Sequence, residues 1–498
     1  MKNKVDLKKN RELWTISLIG VLFFTLRFPS FFEPYWYGDE GIYEVIGSAL
    51  NQGRILYTQI WDNKPPLLYI TYSLLGADQF WVRFTSAIVG ILTLLFFYHL
   101  SLHLFQNKKS SLISTLIFAL FFGLPIIEGN IANAENFMLL PTIASGLIIV
   151  QQFLNDSHLK QSAKWIFIAG LLLGVSFLYK TVAVFDFASF FLFLFIACLP
   201  TTLNINAFKK YLLEYGKVFA LLLIGFLVPF CITIFYFLKH KALYTYLHAI
   251  FLSNVGYVGY KNLFIIPQGL LILKFTLLIG FIWGIILFRK KIPYSALFIA
   301  LWIVFSLFNS FFSQRPYTHY LLVILPSLSL IPGLLLSIHT KYKKYLALIF
   351  IILIVILSQS FNHWSIVKTI LYYPNFISFL IGKKSVSDYQ SFFDRRAPRD
   401  AEIALYLQRH TRNSDTIFLW GNNAQIYVLS NKLPVGRFTV AYHMLTNMQT
   451  LAETEQAFLK AKPKYVAIFP GIQPLPFSLY NYREKIVIQD VHLYERIN

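Results

Sequence analysis

Charge is scarce in this chain and cysteine is nearly absent. Only 13% of its 498 residues are Asp, Glu, Lys or Arg, while 56% are hydrophobic. A soluble globular chain carries about a quarter charged residues. That shortage excludes a wholly soluble chain and implies a polytopic helical membrane protein. Cys198 and Cys231 are the only cysteines, and both fall inside apolar runs. They give neither a disulfide framework nor the clustered ligands of a zinc site. The sequence also lacks internal repeats, low-complexity tracts, and Rossmann or P-loop fingerprints. The formal charge of +21 does not indicate nucleic acid, because Lys and Arg fall mostly in short loops between apolar runs. There they set membrane topology instead of forming one compact basic face.

What is present is a series of apolar runs and many aromatics, with 50 Phe and 30 Tyr, which suit lipid-facing packing and interfacial belts. A bilayer span takes about 20 mainly apolar residues. Eleven candidates follow, at 13–31, 81–104, 111–127, 137–154, 165–180, 182–200, 218–238, 264–288, 293–311, 319–338 and 345–363. The basic N-terminus and the first run look like a signal peptide. However, Arg27, Pro29 and Pro34 end that run without a small-residue cleavage pattern, so an uncleaved first span is expected. With the N-terminus in the cytoplasm, every even-numbered connection is basic. These hold Lys108 and Lys109; Lys160 and Lys164; Lys209, Lys210 and Lys217; Arg289, Lys290 and Lys291; and Lys341, Lys343 and Lys344. Lys239, Lys241, Lys261 and Arg315 are the exceptions on the opposite side. The alternation places segments 35–80, 128–136, 239–263, 312–318 and everything after 364 on one outer face. Composition changes after about residue 364. RDAEIALYLQRHT (399–411) reads as an amphipathic helix, and 415–421, 464–470 and 485–497 read as strands. The expected organisation is a transmembrane domain over 1–363 and a small α/β extracytoplasmic domain over 364–498.

The outer face collects the unusual polar residues. In YWYGDEGIYEVIGSAL (35–50) the pair Asp39–Glu40 opens a short amphipathic helix lying on the membrane surface, where the helix dipole stabilises anions. N-capping needs one such acid and not two. In WDNKPPLLY (61–69) the prolines push Lys64 to an extended backbone and hold it in a fixed direction, with Asp62 nearby. IEGNIANAENFMLLP (127–141) adds Glu128 and Glu135. Lys180 lies in a tight outer turn, and a structural pair with Asp186 is the competing reading. SQRPYTHYLLVILP (313–326) adds Arg315, Tyr317, His319 and Tyr320, and the planar fork of Arg315 suits a phosphate. Carboxylates and cations at a membrane surface suit a site that handles a proton and an anion together.

These motifs taken together, GDEGIYEVIGSAL, WDNKPPLLY, NAENFMLLP and QRPYTHYLLVILP, resemble the GT-C glycosyltransferase superfamily over about 330 residues. Within it they are similar to bacterial members related to protein O-mannosyltransferases and to the lipid A aminoarabinose transferase. The resemblance implies an inverting transfer of a sugar from a polyprenyl-phosphate donor to a glycolipid, polysaccharide or protein acceptor. It places the enzyme in the bacterial inner membrane with its site facing the periplasm. Asp39 matches the catalytic acid of the family and Glu40 its neighbour. Lys64 matches a lysine near the lipid phosphate, and Glu135 an acidic position in the second outer loop; Arg315 and Lys180 are, by their charge, further cations expected to stabilise the leaving phosphate. Asp62, Glu135, Tyr317 and His319 are the expected sugar- or acceptor-binding residues. Where the family often has glutamate before the lysine, this chain has Asn63. No cofactor is required on this reading, and a divalent metal stays open. The alternatives from other classes are a lipid or sugar transporter or flippase and a non-catalytic scaffold.

Overall fold

The computed structural model describes the chain apart from residues 1, 156–162, 201–203, 256–262, 265, 268, 314, 316, 338–342, 359–362 and 498. Lys160, Lys261 and Lys341, read above as topology charges, lie outside the described residues. The chain is mainly helical. It begins with α1 (Lys2–Arg27), α2 (Gly38–Asn51), α3 (Pro66–Leu74) and α4 (Gln79–Phe105). Among the described residues, five of the eleven expected runs form helices long and apolar enough to cross a membrane: Glu12–Phe32, Gln79–Phe105, Ala134–Asn155, Ile205–Lys239 and Leu270–Lys291. The other six form shorter helices, among them Ala163–Tyr179, Tyr294–Ser310 and Leu325–Ser337. The chain is a membrane protein, and the figure of eleven full spans remains an expectation.

Contacts divide the chain into two compact units. The first comprises residues 1–28, 85–235 and 254–370. Aromatic rings fill its interior. Phe190 stacks on Phe298 at 5.2 Å and meets the edge of Trp302 at 5.4 Å.

The second unit comprises residues 29–84, 236–253 and 371–498. Its residues thus come from both the expected transmembrane stretch and the expected extracytoplasmic one. A four-stranded sheet forms its C-terminal part. Ile417–Trp420 runs parallel to Tyr465–Ile468, and Val491–Arg496 pairs antiparallel with both Tyr465–Ile468 and Tyr482–Ile488. The stretch 485–497 turns at Gln489, whose φ of 54° is a hairpin conformation, so it contributes to two strands. Phe418, Trp420, Phe438, Met444, Phe458, Val466 and Phe477 form the aromatic core, and Trp61 packs against it.

α2 is held tightly on two sides. At Gly47 a side chain would come within 2.9 Å of the Ser73 nitrogen, so the glycine lets α2 lie close to α3. At Gly41 it would come within 2.8 Å of the Gln425 nitrogen, so α2 also touches the Gln425–Leu429 helix backbone to backbone. Beneath α2 sits Arg83, which is fully buried. Its Nε donates to Glu40 Oε1 at 3.0 Å, Nη1 donates to the Ser30 carbonyl at 2.7 Å and lies 3.0 Å from Glu33 Oε2, and Nη2 binds Glu40 again. Tyr372 donates to Glu33 from the C-terminal part of the unit. One turn beyond Glu40, Glu44 is fully buried, and neither carboxyl oxygen has a hydrogen-bond partner. Burial, together with the charge of Glu40, pushes its pKa well above the ordinary 4.5. The neutral form of Glu44 is therefore favoured, and Arg83 pairs with Glu33 and Glu40.

Opposite outcomes follow for two substitutions. Arg83→Leu leaves two buried carboxylates without a counter-charge, and a loss of about 3–5 kcal/mol is expected. Glu44→Leu removes two unsatisfied buried oxygens, and a gain of about 1–3 kcal/mol is expected. The folded pKa of Glu44 is raised, so its contribution is full below the unfolded value and is lost as pH rises. The advantage of Glu44→Leu over the wild type should therefore widen as pH rises above the ordinary carboxyl value of 4.5. Thermal denaturation in detergent across that range checks both, and a pH-independent difference at Glu44 would contradict its neutral state.

Candidate active site

Asp39 and Glu40 are adjacent in sequence but diverge in space. Both lie in the first turn of α2, where successive side chains point about 100° apart. Glu40 turns inward to Arg83, and Asp39 turns outward with its side chain 36% exposed. The expected acidic pair is thus split into a buried anchor and an accessible carboxylate. Lys64 Nζ lies 3.3 Å from Asp39 Oδ2, and the Tyr43 hydroxyl donates to the same oxygen at 3.0 Å. Burial, aided by Asp39 and Asp62, pushes the Tyr43 hydroxyl well above 10 and so keeps it a donor. The Lys64 ammonium also sits 4.7 Å above the Tyr43 ring.

The backbone around Lys64 is fixed at both ends. Its amide donates to the Tyr69 hydroxyl at 3.2 Å, and its carbonyl accepts from the Tyr57 hydroxyl at 2.8 Å. Pro65 then caps α3 in an extended conformation. Tyr57 is itself strained, at φ 69°, a conformation that costs of order 1–3 kcal/mol for a bulky residue. Its buried ring is clamped against Phe237 and Tyr246, with centroids 5.2 and 5.4 Å away. Asp62 is buried, accepts from Tyr69 at 2.7 Å, and lies 4.0 Å from Lys64 Nζ. The second unit therefore brings Asp39, Lys64 and Asp62 together.

The first unit holds its own cluster. Glu135 opens the helix Ala134–Asn155, is buried, and pairs with Lys180. Lys180 Nζ also lies 4.4 Å from the centroid of Tyr320. His319 bridges two acids, with Nδ1 3.0 Å from Glu128 Oε2 and Nε2 3.9 Å from Glu135 Oε1. Thr318 also donates to Glu128. Tyr317 stacks on His319 at 5.6 Å and is exposed. Arg315 belongs to the same stretch, and its amide is 3.4 Å from Ser313 Oγ. The alternative Lys180–Asp186 pair does not form. Lys180 goes to Glu135, and Asp186 accepts from the Trp302 indole at 2.8 Å.

Arg83, Glu44 and His443 are among the residues of the second unit's cluster and its support that were not singled out from the sequence. Arg83 left a signal, as a lone charge inside the 81–104 run. Glu44 falls within the amphipathic pattern of α2, where a charge on the buried side breaks the period. His443 left none. It lies in the short helix Ala441–Met444, 379 positions after Lys64, and reaches Asp62 through the fold. Among the described residues, no three His, Cys, Asp or Glu side chains are grouped to hold a metal ion.

Comparisons with known proteins agree with this architecture. Residues 54–245 match the family model described as dolichyl-phosphate-mannose-protein mannosyltransferase. That stretch includes Asp62, Lys64, Glu135 and Lys180 and begins after Asp39. Among solved structures, the chain is similar to ArnT from Cupriavidus metallidurans bound to undecaprenyl phosphate. The TM-score is 0.57 and the identity 13%, over 96% of this chain and 97% of that one. The apo structure of the same ArnT gives the same values. The archaeal oligosaccharyltransferase AglB from Archaeoglobus fulgidus, in complex with an inhibitory peptide and a dolichol-phosphate, reaches a TM-score of 0.49 at 12% identity. That match covers 93% of this chain and 70% of that one. A comparison with curated protein sequences gives no match. The fold is that of the GT-C membrane glycosyltransferases, as the motifs implied. Over residues 54–245 the chain carries the mannosyltransferase family pattern.

The Glu135–Lys180 pair is open to a direct test. Glu135→Leu leaves a largely buried ammonium without its partner and should cost about 3 kcal/mol. The double variant Glu135→Leu, Lys180→Met should recover most of that loss. Melting in detergent measures both, and additive losses in the double variant would contradict the pairing.

Proposed function

We propose that this protein is an inverting glycosyltransferase. It moves a sugar from a polyprenyl-phosphate donor to a cell-envelope acceptor, a glycolipid, polysaccharide or protein, at the outer face of the bacterial inner membrane. One observation carries the reading: an accessible carboxylate, Asp39, lies 3.3 Å from the ammonium of Lys64, with Tyr43 bridging to the same carboxylate. The family match over 54–245 and the GT-C fold support it.

In this mechanism the acceptor oxygen attacks the anomeric carbon from the side opposite the phosphate. The new C–O bond forms as the bond from carbon to phosphate oxygen breaks. The acceptor proton passes to Asp39 as general base. The phosphate departs on its lipid with one more negative charge, and Lys64 stabilises that charge. The donor phosphate thus competes with Asp39 for Lys64, so binding the donor releases the base for its task. Glu40 acts from behind, holding α2 on Arg83 so that Asp39 keeps its direction. Asp62 orients Lys64. In the first unit's cluster, Lys180 and Arg315 are assigned to phosphate, and Glu135, Tyr317 and His319 to the sugar or the acceptor. Lys180 brings a cation already paired with a carboxylate, as Lys64 does.

Asp39→Asn keeps the size of the side chain and removes the base. Transfer from a polyprenyl-phosphate sugar in a membrane assay should fall by about 10²–10⁴-fold with no change in melting temperature. Wild-type turnover by that variant would remove Asp39 from the mechanism.

A further inference from the structure

The segment from 54 to 64 carries Lys64, and its path is set by the C-terminal part of the same unit. The Arg54 guanidinium donates to the carbonyls of Pro434, at 3.1 Å, and Gly436, at 3.3 Å. The Trp61 amide donates to the Arg437 carbonyl at 2.9 Å, and Arg437 donates back to the Tyr57 carbonyl at 3.2 Å. Trp61 packs into the aromatic core built on the C-terminal sheet. Its ring also meets His443 edge to face, with centroids 4.8 Å apart and an interplanar angle of 87°. The next residue, Asp62, faces His443 Nε2 across 3.6 Å.

His443 is an unusual core residue. It is 7% exposed, and its Nδ1 is buried without a hydrogen-bond partner. A histidine placed there for packing alone would be better replaced by an aromatic hydrocarbon, since a buried unpaired nitrogen is destabilising. What the imidazole adds is a nitrogen 3.6 Å from Asp62 Oδ1. Asp62 in turn meets groups that bear on Lys64: the Tyr69 hydroxyl, which accepts from the Lys64 amide, and the Lys64 ammonium itself.

We propose that His443 is a positioning residue for the phosphate-binding lysine, by which the C-terminal domain completes the active site. It holds Asp62 in place, and Asp62 together with Tyr69 holds Lys64. The role rests on the phosphate-handling function proposed above for Lys64. It gives the C-terminal domain a part in catalysis beyond presentation or display. His443 acts as a neutral imidazole, because burial pulls its pKa from 6.5 down to about 4 despite the nearby Asp62.

The test uses full-length protein in detergent and two readouts. One is the rate of Lys64 acylation by acetic anhydride, followed by peptide mass spectrometry. The other is the affinity for undecaprenyl phosphate as the probe. His443→Phe keeps the ring against Trp61 and removes the nitrogen. His443→Gln restores a polar nitrogen near the Nε2 position. Expected for His443→Phe are a melting temperature no lower than that of the wild type, faster Lys64 acylation, and an affinity about tenfold weaker, the scale of one contact to a charged group. His443→Gln should recover most of both. In an Asp62→Asn background, His443→Phe should add nothing further. Should His443→Phe fail to fold, the comparison of His443→Gln with Asp62→Asn and with their double variant decides the same point. Wild-type acylation and affinity in folded His443→Phe would overturn the proposal, as would additive effects in the double variant. If undecaprenyl phosphate fails to protect Lys64 in the wild-type protein, the phosphate reading falls. The acylation rates then still decide whether His443 positions Lys64.

Discussion

The guanidinium of Arg83 is the contact on which the site depends. Two carboxylates converge on it in a fully buried setting, and one of them, Glu40, belongs to α2. A bidentate ion pair fixes direction as well as distance. Once Glu40 is committed inward, helical geometry dictates that Asp39 points away from it and toward solvent. The close approaches at Gly41 and Gly47 allow α2 no other seat. The direction of the proposed base is therefore set by a residue that does no chemistry.

Lys64 is held with comparable redundancy. Two tyrosine hydroxyls grip its backbone, one of them from a residue in a strained conformation. Asp39, Asp62 and the face of Tyr43 surround its ammonium. A cation held by acids alone would be too well satisfied to serve a phosphate. The arrangement here is graded: Asp39 is close and accessible, while Asp62 is buried and a further 0.7 Å away (4.0 against 3.3 Å). An incoming phosphate would displace the first and leave the second in place as a support. The first unit repeats the theme with Lys180 between Glu135 and the ring of Tyr320.

Much of this was legible in the sequence because membrane proteins expose their polar exceptions. A low-charge background made Asp39, Lys64, Glu135 and Lys180 conspicuous, and the double proline after Lys64 announced a fixed backbone. The helices fell where the apolar runs lay, and the C-terminal strands fell at the alternating stretches. Two things were not legible. Adjacency of Asp39 and Glu40 suggested cooperation, whereas a 100° rotation gives them separate partners, and only the buried Arg83 decides which faces in. Long-range pairing was the other gap. His443 and Arg437 meet the 54–64 segment across more than 370 positions, and no local pattern records which loop a distant domain will grip. The same holds for the choice of Glu135 over Asp186 by Lys180, where Asp186, six positions on, was the competing partner.

The central claim is that Lys64 exchanges Asp39 for the donor phosphate. An experimental structure of the protein with undecaprenyl phosphate bound tests it most directly. The account predicts a phosphate oxygen within about 3 Å of Lys64 Nζ, with Asp39 no longer in contact with the ammonium and Asp62 unmoved. A phosphate seated elsewhere, with the Asp39–Lys64 pair intact at 3.3 Å, would contradict it.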